Sequence, residues 1–157
     1  EGTIAISQGN FRIESVKPEK SILVFDGQVL WNEQSSSDEF GGPAQVTKQK
    51  LSKAGKAQTL FATLLTKDPL TKHFKINKYE SRGDEVLYFA ESTNSEINVK
   101  DFKIVIESKK KFVSEISFKD DIGNQTIMKF SNVEFKDNSD KKLFNYKPPK
   151  GAQVTQI

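Results

Sequence analysis

Few residues in this chain are equipped for chemistry. His73 is the lone histidine and there is no cysteine, so a His- or Cys-based metal centre has no ligand set within the chain. His73 sits in a stretch that alternates like a surface strand, where a solvated imidazole is the plain reading and a general base the sharper one. Asp120 and Asp121 are adjacent carboxylates, but they run directly into Ile122-Gly123-Asn124. A solvated turn explains them better than acid–base work or Ca²⁺ binding. Lys109-Lys110-Lys111 and Lys141-Lys142 are the basic clusters. At hairpin tips they serve solubility and guard sheet edges; the alternative is docking to an acidic partner or an anionic membrane. No G-x-S-x-G, Walker-type loop, H-E-x-x-H or EF-hand spacing occurs. A hydrolase of cell-envelope polymers therefore has no constellation to stand on, and the expectation is a non-enzyme without cofactor or metal.

Composition points the same way. The 24 basic and 21 acidic residues nearly cancel, to +3. Nucleic acid usually demands a concentrated basic stripe, so no nucleic-acid partner is expected. No apolar run approaches the roughly 18 residues of a membrane span. The length of 157 residues suits one domain with its own core. Glu1 opens the chain without Met or a signal-like stretch, which reads as a processed product or a cut-down chain.

The abundant residue is phenylalanine, 12 in all, and the elements that must position it are strands. Ser21 to Trp31 sets two apolar runs around Asp26-Gly27, a dipeptide suited to a tight type I′ hairpin. Ile22 to Phe25 has no polar position, so both of its faces must be covered. Thr3–Ser7 and Phe11–Glu14 alternate before it, and Asn32 to Pro43 reads as an exposed loop. Lys72–Glu80 and Glu85–Glu91 follow as strands. Lys100–Glu107 places Phe102, Ile104 and Ile106 on one face, and the next strand does so for Phe112, Ser114, Ile116 and Phe118. Gln125 to Phe135 changes phase between Met128/Phe130 and Val133/Phe135, which a bulge near Ser131-Asn132 would reconcile. Leu143–Tyr146 closes the series before Pro148-Pro149. Nine or ten short strands at this spacing predict an all-β sandwich or barrel.

One helix interrupts them. In Ser52–Lys67, Ala57, Leu60, Phe61, Leu64 and Leu65 recur at helical spacing and form one apolar stripe. Ser52 is the N-cap and Asp68-Pro69 the stop. The apolar set then has two readings: a filled core, or a curved sheet around a cavity that the helix closes over an apolar ligand. Periodicity does not separate them, and small barrels occur in both forms; the physics of the sequence alone favours the filled core.

Several stretches, in order, resemble the LolA family, the periplasmic carriers of outer-membrane lipoproteins. They are Gly9-Asn10-Phe11-Arg12-Ile13-Glu14; Pro18 with Ser21 to Trp31; Gln45-Val46; the helix at Ala57–Leu65; Asp121-Ile122-Gly123-Asn124-Gln125-Thr126; and Phe144-Asn145-Tyr146-Lys147-Pro148-Pro149-Lys150-Gly151 with Val154. The resemblance implies a mainly β fold over residues 1–157: a curved antiparallel sheet forming an unclosed half-barrel, with an amphipathic helix as lid over an apolar cavity. It implies acylated lipoproteins as cargo, an inner-membrane ABC transporter of the Lol type as donor and an outer-membrane acceptor. It also implies a monomer in the periplasm and no hydrolysis by the carrier. The expected acyl-chain site is Phe11, Ile13, Leu60, Phe61, Leu64, Leu65, Ile104, Ile106, Ile116, Phe118, Met128 and Phe130. Three departures stand out: the family's N-terminal helix and first strand would precede Glu1, Ser7 stands at the family's lid-holding Arg, and Ile13 at its strand Trp. The rivals are a protein-interaction β-domain with a filled core and another lipid carrier of the same fold. One such carrier is the pathway's acceptor, which is anchored through an N-terminal Cys that this chain lacks.

Overall fold

A computed structural model describes residues 1–35, 41–50, 70–93, 99–136 and 140–157. The chain is mainly β. Its strands are β1 (Gly2–Ser7), β2 (Asn10–Ser15), β3 (Ser21–Phe25), β4 (Val29–Gln34), β5 (Gln45–Lys50), β6 (Phe74–Arg82), β7 (Glu85–Ser92), β8 (Lys100–Glu107), β9 (Phe112–Lys119), β10 (Gln125–Lys129) and β11 (Gln153–Gln156). They form two sheets in two compact units, Glu1–Lys67 with Asp137–Ile157, and Asp68–Lys136. Neither sheet closes on itself. The expected helix over Ser52–Lys67 lies outside the described residues.

The first sheet runs β1-β2-β3-β4-β5-β11, antiparallel except where β11 joins β5 in parallel. Its middle is the expected hairpin, with Val24 opposite Trp31 and Phe25 opposite Leu30. The turn differs from a type I′ pair, because Gly27 alone takes a positive φ, of 95°. Asp26 does the remaining work with its side chain: Oδ1 accepts the backbone N–H of Gln28 at 2.9 Å and of Val29 at 2.8 Å. An aspartate that staples its own turn needs no second left-handed residue.

Both faces of β3 are covered, as its unbroken apolar run requires. On one face Phe25 packs with Phe11, ring centroids 5.6 Å apart, joined by Ile13, Leu23 and Leu30. On the other, Val24 packs with Val46 and Tyr146, joined by Ile22, Trp31 and Ala152. Tyr146 lies against Trp31 at 5.3 Å, and Lys48 Nζ stands 5.1 Å from the Trp31 ring centroid.

The Tyr146 hydroxyl donates to buried Glu33 Oε2 at 2.5 Å. Desolvation, then the hydrogen bond and charge of Glu33, push this phenol well above its ordinary range. A buried carboxylate is tolerated because a donor meets it. In place of the expected strand over Leu143–Tyr146 there is a 3₁₀ turn, Lys141–Phe144, followed by irregular chain that carries Tyr146. Asp140 caps it by accepting from the Lys142 N–H at 2.9 Å, and Phe144 and Tyr146 are buried by packing instead of by a ladder.

The second sheet is an antiparallel meander, β10-β9-β8-β7-β6. Phe74 and Phe102 stack at 4.2 Å and are almost wholly buried. Three register shifts bend it: between Ile76 and Lys78, between Lys100 and Lys103, and between Val105 and Ile106. The last alters a face assignment. Alternation alone puts Phe112 and Ser114 beside Ile116, but the register sets Val113 opposite Ile106 and Phe112 opposite Glu107. One extra residue at Ser114 exchanges the faces, as a bulge must. No bulge rescues the stretch beyond Phe130. β10 ends at Lys129, Asn132 turns left-handed at φ 53°, and Val133 and Phe135 are exposed.

Candidate functional site

The clearest apolar surface belongs to the second sheet, and its register defines it. Residues directly opposite in neighbouring strands share a face. Tyr79, Tyr88, Ile104, Ile116 and Met128 are opposite one another in turn, so one row crosses all five strands. Val86, Ile106 and Val113 form a second row on the same face, and Ile76, Ala90 and Phe102 extend a third. The centre is buried: Ile104 and Ile116 keep 7% and 6% exposure. Tyr79, at the β6 edge, keeps 68%.

The reverse face of the same sheet carries ion pairs around buried Leu87, Val105 and Ser117 and half-buried Phe89. Lys103 Nζ meets Glu115 Oε1 at 2.7 Å, with Lys129 on the far side of that carboxylate. Lys78 and Arg82 both bind Glu80 at 2.7 Å. Their hydrogen bonds hold the Glu80 carboxyl below its ordinary range. The first face presents an unbroken uncharged row, whereas the reverse alternates apolar side chains with ion pairs.

The sequence-predicted site residues fall into three groups. Ile104, Ile116 and Met128 stand in the first row, Ile106 in the second, and Phe118 opposite Thr126. Phe130 follows β10, its N–H donating to Ser114 O at 2.8 Å. Phe11 and Ile13 lie in the other sheet, where Phe11 is fully buried on Phe25. Leu60, Phe61, Leu64 and Leu65 lie outside the described residues. Sequence reasoning missed Tyr79 and Tyr88 as members of the row. The alternation Val86-Tyr88-Ala90 was the available signal for one, but the shift after Ile76 hides Tyr79 from parity counting.

Of the residues considered for chemistry, Asp120 and Lys109 have structural partners. Asp120 Oδ1 accepts from the Ile122 and Asn124 N–H groups at 3.1 and 2.8 Å, and Oδ2 from the Asn124 side chain at 2.9 Å. Desolvation raises its pKa, but these hydrogen bonds outweigh it and lower the carboxyl overall. It is a turn staple. His73 occupies the turn before β6, its carbonyl accepting from Thr93 N–H. Lys109 Nζ pairs with Asp84 at 2.6 Å between two hairpin tips. Among the described residues no group of three or more His, Cys, Asp or Glu could hold a metal. A cleft of about 330 Å³ in the first unit is lined by Asn10, Asp26, Gln28, Lys141, Phe144 and Asn145, and a smaller one by Asn32, Gln34, Gln45, Val46, Thr47 and Thr155. Both are mostly polar, and neither includes a predicted acyl-site residue.

Comparison with known proteins agrees with this picture of a binding fold. The family described as outer membrane lipoprotein carrier protein LolA matches residues 1–147. Proteins from Legionella pneumophila strains Corby and Paris, each named outer-membrane lipoprotein carrier protein, are 25% identical over 157 residues. The matches span 99% of this chain and 73% of each relative.

Proposed function

Since the chain belongs to the LolA family of outer membrane lipoprotein carrier proteins, we propose that it binds lipoproteins by their acyl chains and ferries them through the periplasm without catalysing a reaction. The donor in this reading is an inner-membrane ABC transporter of the Lol type, and the recipient an outer-membrane acceptor. The whole chain, 1–157, acts as one carrier, and as a monomer.

The observation that carries the reading is the row through Tyr88, Ile104, Ile116 and Met128, which crosses the second sheet without a charged residue. Ile106, Phe118 and Phe130 extend the proposed lining of this face. Phe11 and Ile13 of the first sheet, and Leu60, Phe61, Leu64 and Leu65 by their helical spacing, are further candidates for acyl contact. Each methylene that leaves water contributes about 0.8 kcal/mol. A long acyl chain thus gains enough to be held, and a carrier must hold it loosely enough to hand it on.

A second reading, an interaction domain with a filled core, draws on the burial of Phe11, Phe102, Ile104 and Ile116 before any cargo is added. Titration with a fluorescent acyl probe separates the two. Saturable uptake, with the probe's emission shifting to that of an apolar environment, is the expected result. No uptake at any concentration below probe micellisation would favour the filled core.

A further inference from the structure

The apolar row is not symmetric from end to end, and its asymmetry assigns a direction to the cargo. At the β6 edge the row ends in Tyr79, with 68% of its surface in water, followed by half-buried Tyr88, the two rings 6.3 Å apart and tilted by 35°. Ile76 lies beside them on the same face, 47% exposed. The row then passes through buried Ile104 and Ile116 and ends at half-buried Met128 on β10. One end is thus aromatic, wet and equipped with two phenolic hydroxyls. The other is a thioether with no hydrogen-bonding demand of consequence. Tyrosine suits a boundary where one side is apolar and the other is water. Methionine suits an irregular apolar contact.

The row spans four interstrand gaps of roughly 4.8 Å, about 19 Å in all, which is the reach of one long extended fatty acyl chain. Resting on the acyl-carrier reading above, we propose that an acyl chain lies across the strands along this row, its carbonyl end at Tyr79 and Tyr88 and its methyl end at Met128. The phenols donate to the ester or amide carbonyl that joins the chain to its glyceryl or amino head. The chain packs along Ile104 and Ile116. Tyr79 and Ile76 form the mouth through which it enters, so the protein part of the cargo stays in water beyond the β6 edge.

The chain's single methionine and its three tyrosines make the direction readable by NMR without altering the row. Protein carrying ¹³C-methyl methionine and ¹³C tyrosine is titrated with stearate bearing a nitroxide near its carboxyl end, or near its methyl end. Tyr79→Phe assigns the Tyr79 ring signal. The methyl-end probe should erase the Met128 methyl resonance and spare Tyr79. The carboxyl-end probe should do the reverse. Equal losses at both positions from both probes, or the opposite pairing, would overturn the proposed direction and leave acyl binding intact. Loss at neither residue with either probe would overturn this proposal and the carrier reading together.

Discussion

Met128→Asp should lower the affinity for an acyl probe on the order of 100-fold, while Ile127→Asp, one residue earlier, leaves it unchanged. Consecutive strand residues point to opposite faces. Met128 stands opposite Ile116 in the apolar row, whereas Ile127 stands opposite Ser117 on the reverse face and is 52% exposed. A carboxylate at position 128 would be trapped under the acyl chain with no partner. An unpaired buried charge costs several kcal/mol, and each 1.4 kcal/mol is tenfold in binding. Both positions lie on an edge strand, and Met128 is only half-buried, so neither aspartate has to be buried in the unloaded protein. Far-ultraviolet circular dichroism should match the parent for both. Probe titration of the pair is the check: equal losses, or none in either, would mean that this face does not hold the cargo.

The largest stability effect is expected from Phe11→Ala. Phe11 has no exposed surface, and its ring meets Phe25 at 5.6 Å with Ile13, Leu23 and Leu30 around it. Deleting a fully buried phenyl ring removes its transfer free energy and leaves a cavity, together about 3–5 kcal/mol. Against a total of roughly 5–15 kcal/mol for a folded domain, that is a fifth or more. The lone tryptophan, Trp31, belongs to β4 of the same sheet, so its fluorescence follows unfolding of this unit. The urea midpoint should fall steeply with little change in slope. Phe135→Ala is the matched control, because Phe135 is 78% exposed; it should move stability by less than about 0.5 kcal/mol.

Alternation carried most of the strand map. β8 begins and ends where its pattern of Phe102, Ile104 and Ile106 puts it, and the central hairpin pairs as its two apolar arms require. What the sequence concealed is non-local or a matter of single insertions. β5 has one buried apolar residue, Val46, and β11 has four exposed positions, so neither announces itself by pattern. β5 pairs with β4 and in turn supplies β11 with its parallel partner: Gln45 Nε2 donates to Gln153 Oε1 across 108 residues of sequence, at 3.0 Å. Tyr146 looked like part of a strand because no local signal shows that its hydroxyl will reach Glu33, 113 residues away.

The site followed the same rule. Parity placed Ile104, Ile116 and Met128 on one face without any structure. The bulge at Ser114 then replaced Phe112 by Val113 beside Ile106, and the shift after Ile76 brought Tyr79 into line with Tyr88. Bulges carry no composition signature of their own, so the faces beyond them are legible only once the register is known.

The central claim is that the apolar face of this fold is meant for someone else's hydrocarbon. Native mass spectrometry of protein expressed with an export signal and purified without detergent tests it most directly. A population heavier than the bare chain, whose added mass is released as fatty-acyl species on mild activation and is missing from Met128→Asp, is the predicted result. Bare chain alone, with no acylated species recovered even after incubation with a purified triacylated lipoprotein, would contradict it.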